Sequence, residues 1–166
     1  MQKSIIAKSG DYTFRHAEGS DVPSVIKVNA ETLPEHYSDY FYYEILNEFP
    51  ETFIVAEVGG EVVSYIMCRV EYGLSVLKRF GLARKGHIIS IATVEAHRGR
   101  GVGTTLIQRA IEEMKKIGCK ETFLEVRVTN DQAVSLYRKL GFTVTGTMQG
   151  YYKDGEAAYM MAQQIA

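Results

Sequence analysis

The sequence contains few of the residues and segments that form disulfide bonds, cysteine-ligated metal sites or membrane-spanning helices. Its 166 residues include two cysteines (Cys68 and Cys119), three prolines and no tryptophan. Two cysteines exclude a scaffold held by several disulfide bonds and a zinc site with four cysteine ligands. No stretch approaches the ~20 consecutive apolar residues that a membrane-spanning helix needs. The chain must therefore be stabilised by its own hydrophobic core, which a domain of about 100–200 residues can form.

Neither sign of charge dominates, because 19 Lys and Arg residues oppose 20 Asp and Glu residues and the formal net charge is −1. This balance argues against non-specific nucleic-acid binding through a basic face and against a disordered tail protein. The first eleven residues carry Lys3 and Lys8 and no run of seven apolar residues, so we expect no signal peptide. No repeat or linker interrupts the chain. The sequence predicts one domain over residues 1–166, in a cytoplasmic protein without nucleic-acid or membrane partners, as a monomer or weak oligomer.

Hydrophobic periodicity predicts a mixed α/β fold with one central sheet. A first strand is expected at residues 12–15, and Gly59-Gly60 between two β-rich runs predicts a hairpin. Apolar residues at helical spacing from Val102 to Met114 predict an amphipathic helix that ends at Gly118. Residues 72–85 are expected to form an irregular loop, either solvated or a recognition surface. The predicted order is βααββ-loop-βαβαββ.

A glycine-rich segment, Arg98-Gly99-Arg100-Gly101-Val102-Gly103, lies between a predicted strand and this helix. Glycines let the backbone approach a ligand closely, and the helix after them exposes unpaired N–H groups at the positive end of its dipole. This pattern is typical of phosphate binding. It does not match the dinucleotide fingerprint, because Thr104 stands at the third glycine position, and it lacks the lysine of a P-loop. A purely structural turn is the alternative.

Arg98-x-x-Gly101-x-Gly103 at a strand-to-helix junction resembles the coenzyme A pyrophosphate loop of the GNAT superfamily of N-acetyltransferases. Four further blocks are similar to the catalytic subunits of archaeal NatA-type protein N-terminal acetyltransferases: Leu33-Pro34-Glu35-His36-Tyr37, residues 86–92, residues 124–130 and residues 151–159. The resemblance implies an α/β (α+β) single-domain GNAT fold. Its mixed central sheet would be splayed at the cofactor site and flanked by about four helices.

The resemblance also implies acetyl-CoA as cosubstrate, CoA as product and no metal. The backbone of one strand would take the pantetheine arm, namely Ile91, Ala92, Thr93 and Val94. The amides of the glycine-rich loop would take the pyrophosphate, namely Arg98, Gly99, Arg100, Gly101, Val102, Gly103 and Thr104. Asn130 would hydrogen-bond the pantetheine arm, although an asparagine there also suits a helix N-cap. Tyr137 would lie near the thioester sulfur as an acid for the leaving thiolate, although core packing explains a tyrosine equally well.

Catalysis requires a neutral amine beside the thioester carbonyl. An α-amino group has a pKa of about 7.7–8.0 and a lysine about 10.4, so a modest base suffices for a protein N-terminus. The candidates are His87, expected at the start of the cofactor-facing strand, and Glu35 in the Leu-Pro-Glu turn. A structural histidine and a solvated glutamate are the alternatives, and the choice between the two bases stays open.

On the substrate side, the resemblance implies protein or peptide N-termini, with a ribosome or an auxiliary subunit as partner. The residues implied in substrate binding are Leu33, Pro34, Glu35, Tyr37, Arg127, Tyr151 and Tyr152. Aromatic residues are common in sheets and strand alternation exposes charges routinely, so each also has a structural explanation. The sequence departs from the family pattern at His36, Gly99 and Ala157, and none of these removes a proposed catalytic group.

The function expected is acetyl transfer to a protein N-terminal α-amine in a ternary complex, without a covalent intermediate, since no motif places Cys68 or Cys119 as a nucleophile. One rival is a RimI-like acetyltransferase specific for a ribosomal protein, or one acting on a polyamine. The Leu-Pro-Glu and Tyr-Tyr motifs favour a peptide substrate, because a polyamine site needs several converging carboxylates. The other rival is a non-catalytic CoA-binding subunit, against which the presence of His87, Glu35 and Tyr137 argues.

Overall fold

The structure, a computed structural model, describes residues 4–166; the expectation about a signal peptide lies partly outside them, at residues 1–3. The strands are β1 (Ile5–Ser9), β2 (Tyr12–His16), β3 (Phe53–Val58), β4 (Glu61–Leu74), β5 (Leu82–Thr93), β6 (Glu121–Arg127), β7 (Thr143–Met148) and β8 (Ala158–Gln164). The α-helices are α1 (Val22–Thr32), α2 (Asp39–Glu48), α3 (Val102–Lys116) and α4 (Asp131–Lys139).

Hydrogen bonding orders the strands β1-β2-β3-β4-β5-β6-β8-β7. Strands β5 and β6 pair in parallel, whereas β1 with β2, β2 with β3, β3 with β4, β6 with β8 and β7 with β8 pair antiparallel. The predicted α/β class with a mixed sheet and four helices is confirmed. None of the helices in the described residues is long and apolar enough to span a membrane.

The chain divides into two compact units, which interleave along the sequence. The first unit contains the residues up to Arg69 together with Ile89–Met114, and the second contains Val70–Ile88 with Lys115–Ala166. Strands β4 and β5 supply residues to both units. That the whole chain forms one domain stays a prediction.

In the first unit, local signals set the ends of the two helices that precede the Leu-Pro-Glu turn. Helix α1 has Pro23 in its first turn and ends before Leu33, whose extended backbone is the one that a following proline favours. Helix α2 begins after Ser38, whose side chain accepts a hydrogen bond from the Phe41 backbone N–H. The core between these helices and the strands of the unit consists of Ala17, Val22, Val25, Val28, Tyr42, Ile45, Phe53, Val55, Val62, Tyr65, Met67 and Ala92.

In the second unit, β6 pairs with β8 over seven residues, from Glu121 with Gln164 to Arg127 with Ala158. Helix α4 begins after Asn130, whose side chain accepts a hydrogen bond from the Ala133 backbone N–H at 3.2 Å. The apolar side chains that this unit buries include Phe123, Leu124, Val126, Tyr137, Phe142, Ala158, Met161, Ala162 and Ile165.

Two expectations about secondary structure were wrong. Strand β1 was not predicted, because its short run of apolar residues is interrupted by lysine and only its pairing with β2 makes it a strand. The predicted loop at 72–85 is shorter, since β4 continues to Leu74 and β5 begins at Leu82. Apolar and basic residues are both exposed in this hairpin, so its sequence lacks the alternation of apolar and polar residues that a half-buried strand shows. As a result, His87 lies in the middle of β5 and not at its start.

Strands β5 and β6 separate after a short ladder. Their register joins Lys85 to Glu121, Gly86 to Thr122 and His87 to Phe123, whereas β5 continues to Thr93 and β6 to Arg127. Within the described part of the chain the ladder therefore covers three residue pairs. This matches the splay that the family resemblance implies.

Candidate active site

The glycine-rich loop joins β5 to α3 in the first unit. Gly99 and Gly101 have φ values of 75° and 78°, a left-handed conformation that side chains rarely adopt. A Cβ atom added at Gly99, Gly101 or Gly103 would meet no heavy atom within 4 Å. The first turn of α3 carries no acidic residue, and both Arg98 and Arg100 are exposed. Open space, helix N–H groups and two guanidinium groups suit a diphosphate.

A buried network of hydrogen bonds fixes the Leu-Pro-Glu turn at residues 33–35. The Asn29 side chain, 2% exposed, donates to the Glu35 carbonyl oxygen at 3.0 Å and to the Tyr65 hydroxyl at 3.1 Å. Its Oδ1 atom lies 2.8 Å from Nδ1 of His36, and the Tyr65 hydroxyl lies 2.6 Å from Ser90 Oγ. Burial raises the pKa of Tyr65, so its hydroxyl stays protonated. The network ties the turn to β5, the strand predicted to face the cofactor.

Tyr37 is fixed beside this turn. Its hydroxyl donates to the Ile89 carbonyl oxygen at 3.3 Å, and its ring stacks on Phe41 with ring centroids 5.1 Å apart. The same ring meets Tyr42 edge-on. Its contacts with Ile89, Phe41 and Tyr42 restrict the motion of the Tyr37 side chain, so the ring can line a substrate-binding groove, as the substrate-binding hypothesis requires.

In the second unit, His87 lies between two carboxylates. Its Nδ1 atom is 2.7 Å from Glu71 Oε2 and its Nε2 atom is 2.7 Å from Glu125 Oε2. The ring stacks on Phe123 with centroids 4.3 Å apart. A neutral imidazole has one N–H group, so two hydrogen bonds of this length require a second proton in the cluster, on the ring or on a carboxylate. Sequence reasoning missed Glu71 and Glu125, although Glu125 stands in the Leu-Glu-Val-Arg block.

Arg127 also belongs to a cluster of the second unit. Its Nη1 atom lies 2.8 Å from Asp154 Oδ2 and 2.5 Å from Glu156 Oε2, and its guanidinium carbon lies 4.1 Å from the centroid of the Tyr152 ring. The pKa of Asp154 is lowered by the Glu156 backbone N–H and by Arg127. The pKa of Glu156 is lowered by the hydroxyl of Thr129 and then by Arg127. The cluster holds the segment that carries Tyr151 and Tyr152, whose rings meet edge-on 4.9 Å apart.

Asn130 and Tyr137 occupy α4 and its N-cap. Asn130 caps the helix, so its structural role is observed. Tyr137 is 9% exposed and packs edge-on against Phe142. Burial raises the pKa of Tyr137 to about 12, so its phenol keeps its proton at neutral pH.

The predicted residues thus lie in five local groups, one of which is Asn130 and Tyr137 on α4 and its N-cap. Leu33, Pro34, Glu35 and Tyr37 share one turn of the first unit, and the glycine-rich loop with Ile91–Val94 forms another part of that unit. His87 lies in a cluster of the second unit with Glu71 and Glu125, and Arg127 lies in one with Tyr152. No group of His, Cys, Asp and Glu side chains in residues 4–166 has the arrangement of a metal site.

The network below the Leu-Pro-Glu turn makes a testable prediction. Tyr65→Phe removes the hydroxyl that joins Asn29 to Ser90 and leaves both without that partner, at a cost of about 1–3 kcal/mol. We expect the Tm to fall by several degrees and the KM for peptide to rise more than the KM for acetyl-CoA. Steady-state kinetics and thermal unfolding measure these effects.

Tyr42→Phe is the matched control, because the buried Tyr42 hydroxyl makes no hydrogen bond with any described residue. It should leave the Tm and both KM values near those of the wild type. If Tyr65→Phe behaved in the same way, the network would not position the turn.

Comparison with known proteins agrees with this geometry. The family model described as "Acetyltransferase (GNAT) family" matches residues 22–142. The chain is 48% identical to an N-alpha-acetyltransferase of Sulfurisphaera tokodaii, over 99% of this chain and 100% of that protein. The crystal structure of Ard1 from Thermoplasma volcanium superposes with a TM-score of 0.83 at 29% identity, covering 95% of this chain and 99% of that one. A structure of the NatC complex bound to Gag peptide and CoA contains a chain that matches with a TM-score of 0.83 at 25% identity, covering 95% of this chain and all of that chain.

The chain belongs to the GNAT family of acetyltransferases. The resemblance inferred from the glycine-rich loop and the four sequence blocks is thereby confirmed.

Proposed function

We propose that this protein transfers the acetyl group of acetyl-CoA to the α-amine of protein N-termini. The observation that carries the proposal is the full-length similarity to an N-alpha-acetyltransferase at 48% identity. The NatC structure, which holds a peptide together with CoA, supports a peptide as acceptor and acetyl-CoA as donor. The amine nitrogen attacks the thioester carbonyl, the thiolate of CoA leaves, and no covalent enzyme intermediate forms.

In the first unit, the glycine-rich loop binds the diphosphate of acetyl-CoA through the N–H groups of residues 98–104. The helix dipole of α3 and the side chains of Arg98 and Arg100 add positive charge. The backbone of Ile91–Val94 binds the pantetheine arm as an additional strand. The arm also receives a hydrogen bond from Asn130, in addition to the capping role of that residue, and Tyr137 donates a proton to the leaving thiolate.

The Glu71–His87–Glu125 cluster removes the proton of the attacking amine. Because both ring nitrogens of His87 already face carboxylates at 2.7 Å, the group that receives the proton is a carboxylate oxygen, not the ring. The cluster first releases its second proton to solvent through Glu71, which leaves a neutral ring with its proton on Nδ1 and an ionised Glu125. Glu125 then accepts the amine proton, Nε2 takes it, and Nδ1 passes its own proton to Glu71. The side chain of Glu71 is 33% exposed against 12% for His87 and Glu125, so the proton leaves to solvent from Glu71.

Glu35 attracts the amine while it is still an ammonium ion and orients it. The network of Asn29, Tyr65 and Ser90 fixes the backbone of Glu35, so its carboxylate starts from a defined position. Leu33 and Pro34 line the pocket for the first side chain of the substrate. Tyr37, Tyr151 and Tyr152 contact the peptide backbone, and Arg127 keeps Tyr152 in place.

The cellular setting is also part of the proposal. The NatC relative is part of a complex, which supports an auxiliary subunit as partner. We infer that the protein works in the cytoplasm, on N-termini that emerge from the ribosome, alone or with such a subunit.

A panel of peptides tests the proposed acceptor. Peptides that begin with Ser, Ala or Thr should be acetylated, because we propose that Leu33 and Pro34 accommodate a small first side chain and an α-amine is more often neutral than a lysine at pH 7. The same peptides with a blocked α-amine and a free internal lysine should not react. Mass spectrometry of each product locates the acetyl group, and rapid acetylation of the lysine would contradict the proposed acceptor.

A further inference from the structure

Two exposed apolar patches lie outside the proposed site, one surrounded by basic residues and the other by acidic residues. Of the eight large apolar side chains that are exposed in the described residues, four lie between Tyr72 and Leu82, and two lie on α2. Exposed apolar groups concentrated in this way mark interaction surfaces.

The hairpin patch consists of Tyr72, Leu74, Phe80 and Leu82, which are 73%, 74%, 80% and 63% exposed. Strand alternation places Tyr72 and Leu74 on one face of β4, and a bond from the Ser75 N–H to the Gly81 carbonyl oxygen closes the turn. The exposed charged side chains of this hairpin are basic, namely Lys78, Arg79 and Arg84, whereas Lys85 and the carboxylate of Glu121, which binds Ser75 and the Val76 N–H, are buried. The patch is therefore apolar with a positive rim.

The α2 patch consists of Tyr40, Tyr43, Glu44 and Glu48. Their spacing places them on one exposed face of α2, and Tyr40 and Tyr43 are 75% and 44% exposed. The acidic residues on or directly after α2 are Asp39, Glu44, Glu48 and Glu51, and no Lys or Arg occurs from residue 28 to residue 68. The α2 patch is therefore aromatic with a negative rim.

We propose that the hairpin patch of one copy of this protein binds the α2 patch of a second copy, head to tail. The charges favour this pairing over a symmetric one, since two hairpin patches or two α2 patches would bring like charges together. Tyrosine, phenylalanine and arginine are residue types on which interfaces depend strongly. In such a pair one copy keeps an unused α2 patch and the other keeps an unused hairpin patch, so the assembly grows with concentration until it closes.

Sedimentation velocity over a concentration series at low salt tests the proposal. The wild type should associate, and 0.5 M salt should weaken the association several-fold. The hairpin variant, Phe80→Ser with Leu82→Ser, and the α2 variant, Tyr40→Ser with Tyr43→Ser, should each associate at least about tenfold more weakly than the wild type. A 1:1 mixture of the two variants should form heterodimers and nothing larger, because only one intact pair of patches remains.

The changed side chains are exposed and lie outside the proposed catalytic groups, so both variants should keep the wild-type kcat/KM with a short peptide. A wild type that stays monomeric throughout the series, a mixture that forms no heterodimer, or variants that associate as the wild type does would each overturn the proposal. Binding of either patch to RNA or to another protein without self-association would also overturn it.

Discussion

Gly103→Glu is expected to weaken acetyl-CoA binding by about 100-fold or more while leaving the protein folded. The residue lies in the first turn of α3, and a side chain there enters open space. A carboxylate near a helix N-terminus stabilises the helix by about 0.3–1 kcal/mol, so the Tm should not fall. The same carboxylate would occupy the position of the diphosphate and repel it. Isothermal titration calorimetry with acetyl-CoA and thermal unfolding measure the two effects separately.

Gly103→Gln is the matched control, since it adds the same volume without the charge, and its affinity should lie between those of the wild type and Gly103→Glu. Gly101→Glu should also abolish binding, but the positive φ of Gly101 adds backbone strain that Gly103 does not have. Wild-type affinity in Gly103→Glu would show that the loop does not hold the diphosphate.

The second large effect is expected at the Glu71–His87–Glu125 cluster. His87→Ala and Glu125→Gln should each lower kcat by about 10²–10⁴-fold, the range of general-base catalysis. The double variant should be little worse than either single variant, because the groups act as one relay. Glu35→Ala should lower kcat and also raise the KM for peptide, because its carboxylate attracts the incoming ammonium. Steady-state kinetics from pH 6 to pH 9 measure these changes.

Chemical rescue separates a catalytic role of His87 from a structural one. Added imidazole should restore part of the kcat of His87→Gly, whereas it should not restore that of Glu125→Gln. Acetyl-CoA affinity serves as the control for folding. Wild-type kcat in His87→Ala, Glu35→Ala and their double variant would contradict both proposed roles, and catalysis would then rest on positioning alone.

Most of the fold could be predicted because its signals are local. Pro34 ends α1, Ser38 begins α2, and the apolar stripe of α3 has a clear helical period. Strand β1 and the extension of β4 to Leu74 could not be predicted from the sequence, since both depend on pairing with a neighbouring strand. Apolar and basic residues are both exposed in that hairpin, whereas a strand is normally recognised from the alternation of buried apolar and exposed polar residues.

The candidate site also combines features with local sequence signals and features that only the fold brings together. Glycines and a helix start lie next to each other in the chain, so the loop at residues 98–104 could be predicted from the sequence. Glu71, His87 and Glu125 are 16 and 38 residues apart, and only the sheet brings them together. Asn29, Tyr65 and Ser90 are separated in the same way, and each alone looks like an ordinary buried polar residue. Their roles as proton relay and turn support stay predictions.

In the proposed binding mode, the short ladder between β5 and β6 makes the stability of the protein depend on its acetyl-CoA supply. Three residue pairs join the two strands, so an arm that pairs with Ile91–Val94 would extend the sheet beyond this ladder. A ligand present at about 100 times its Kd adds about 2.7 kcal/mol to the free energy of unfolding. The lifetime of the protein against proteolysis would then rise and fall with the acetyl-CoA supply of the cell, independently of how much substrate it acetylates.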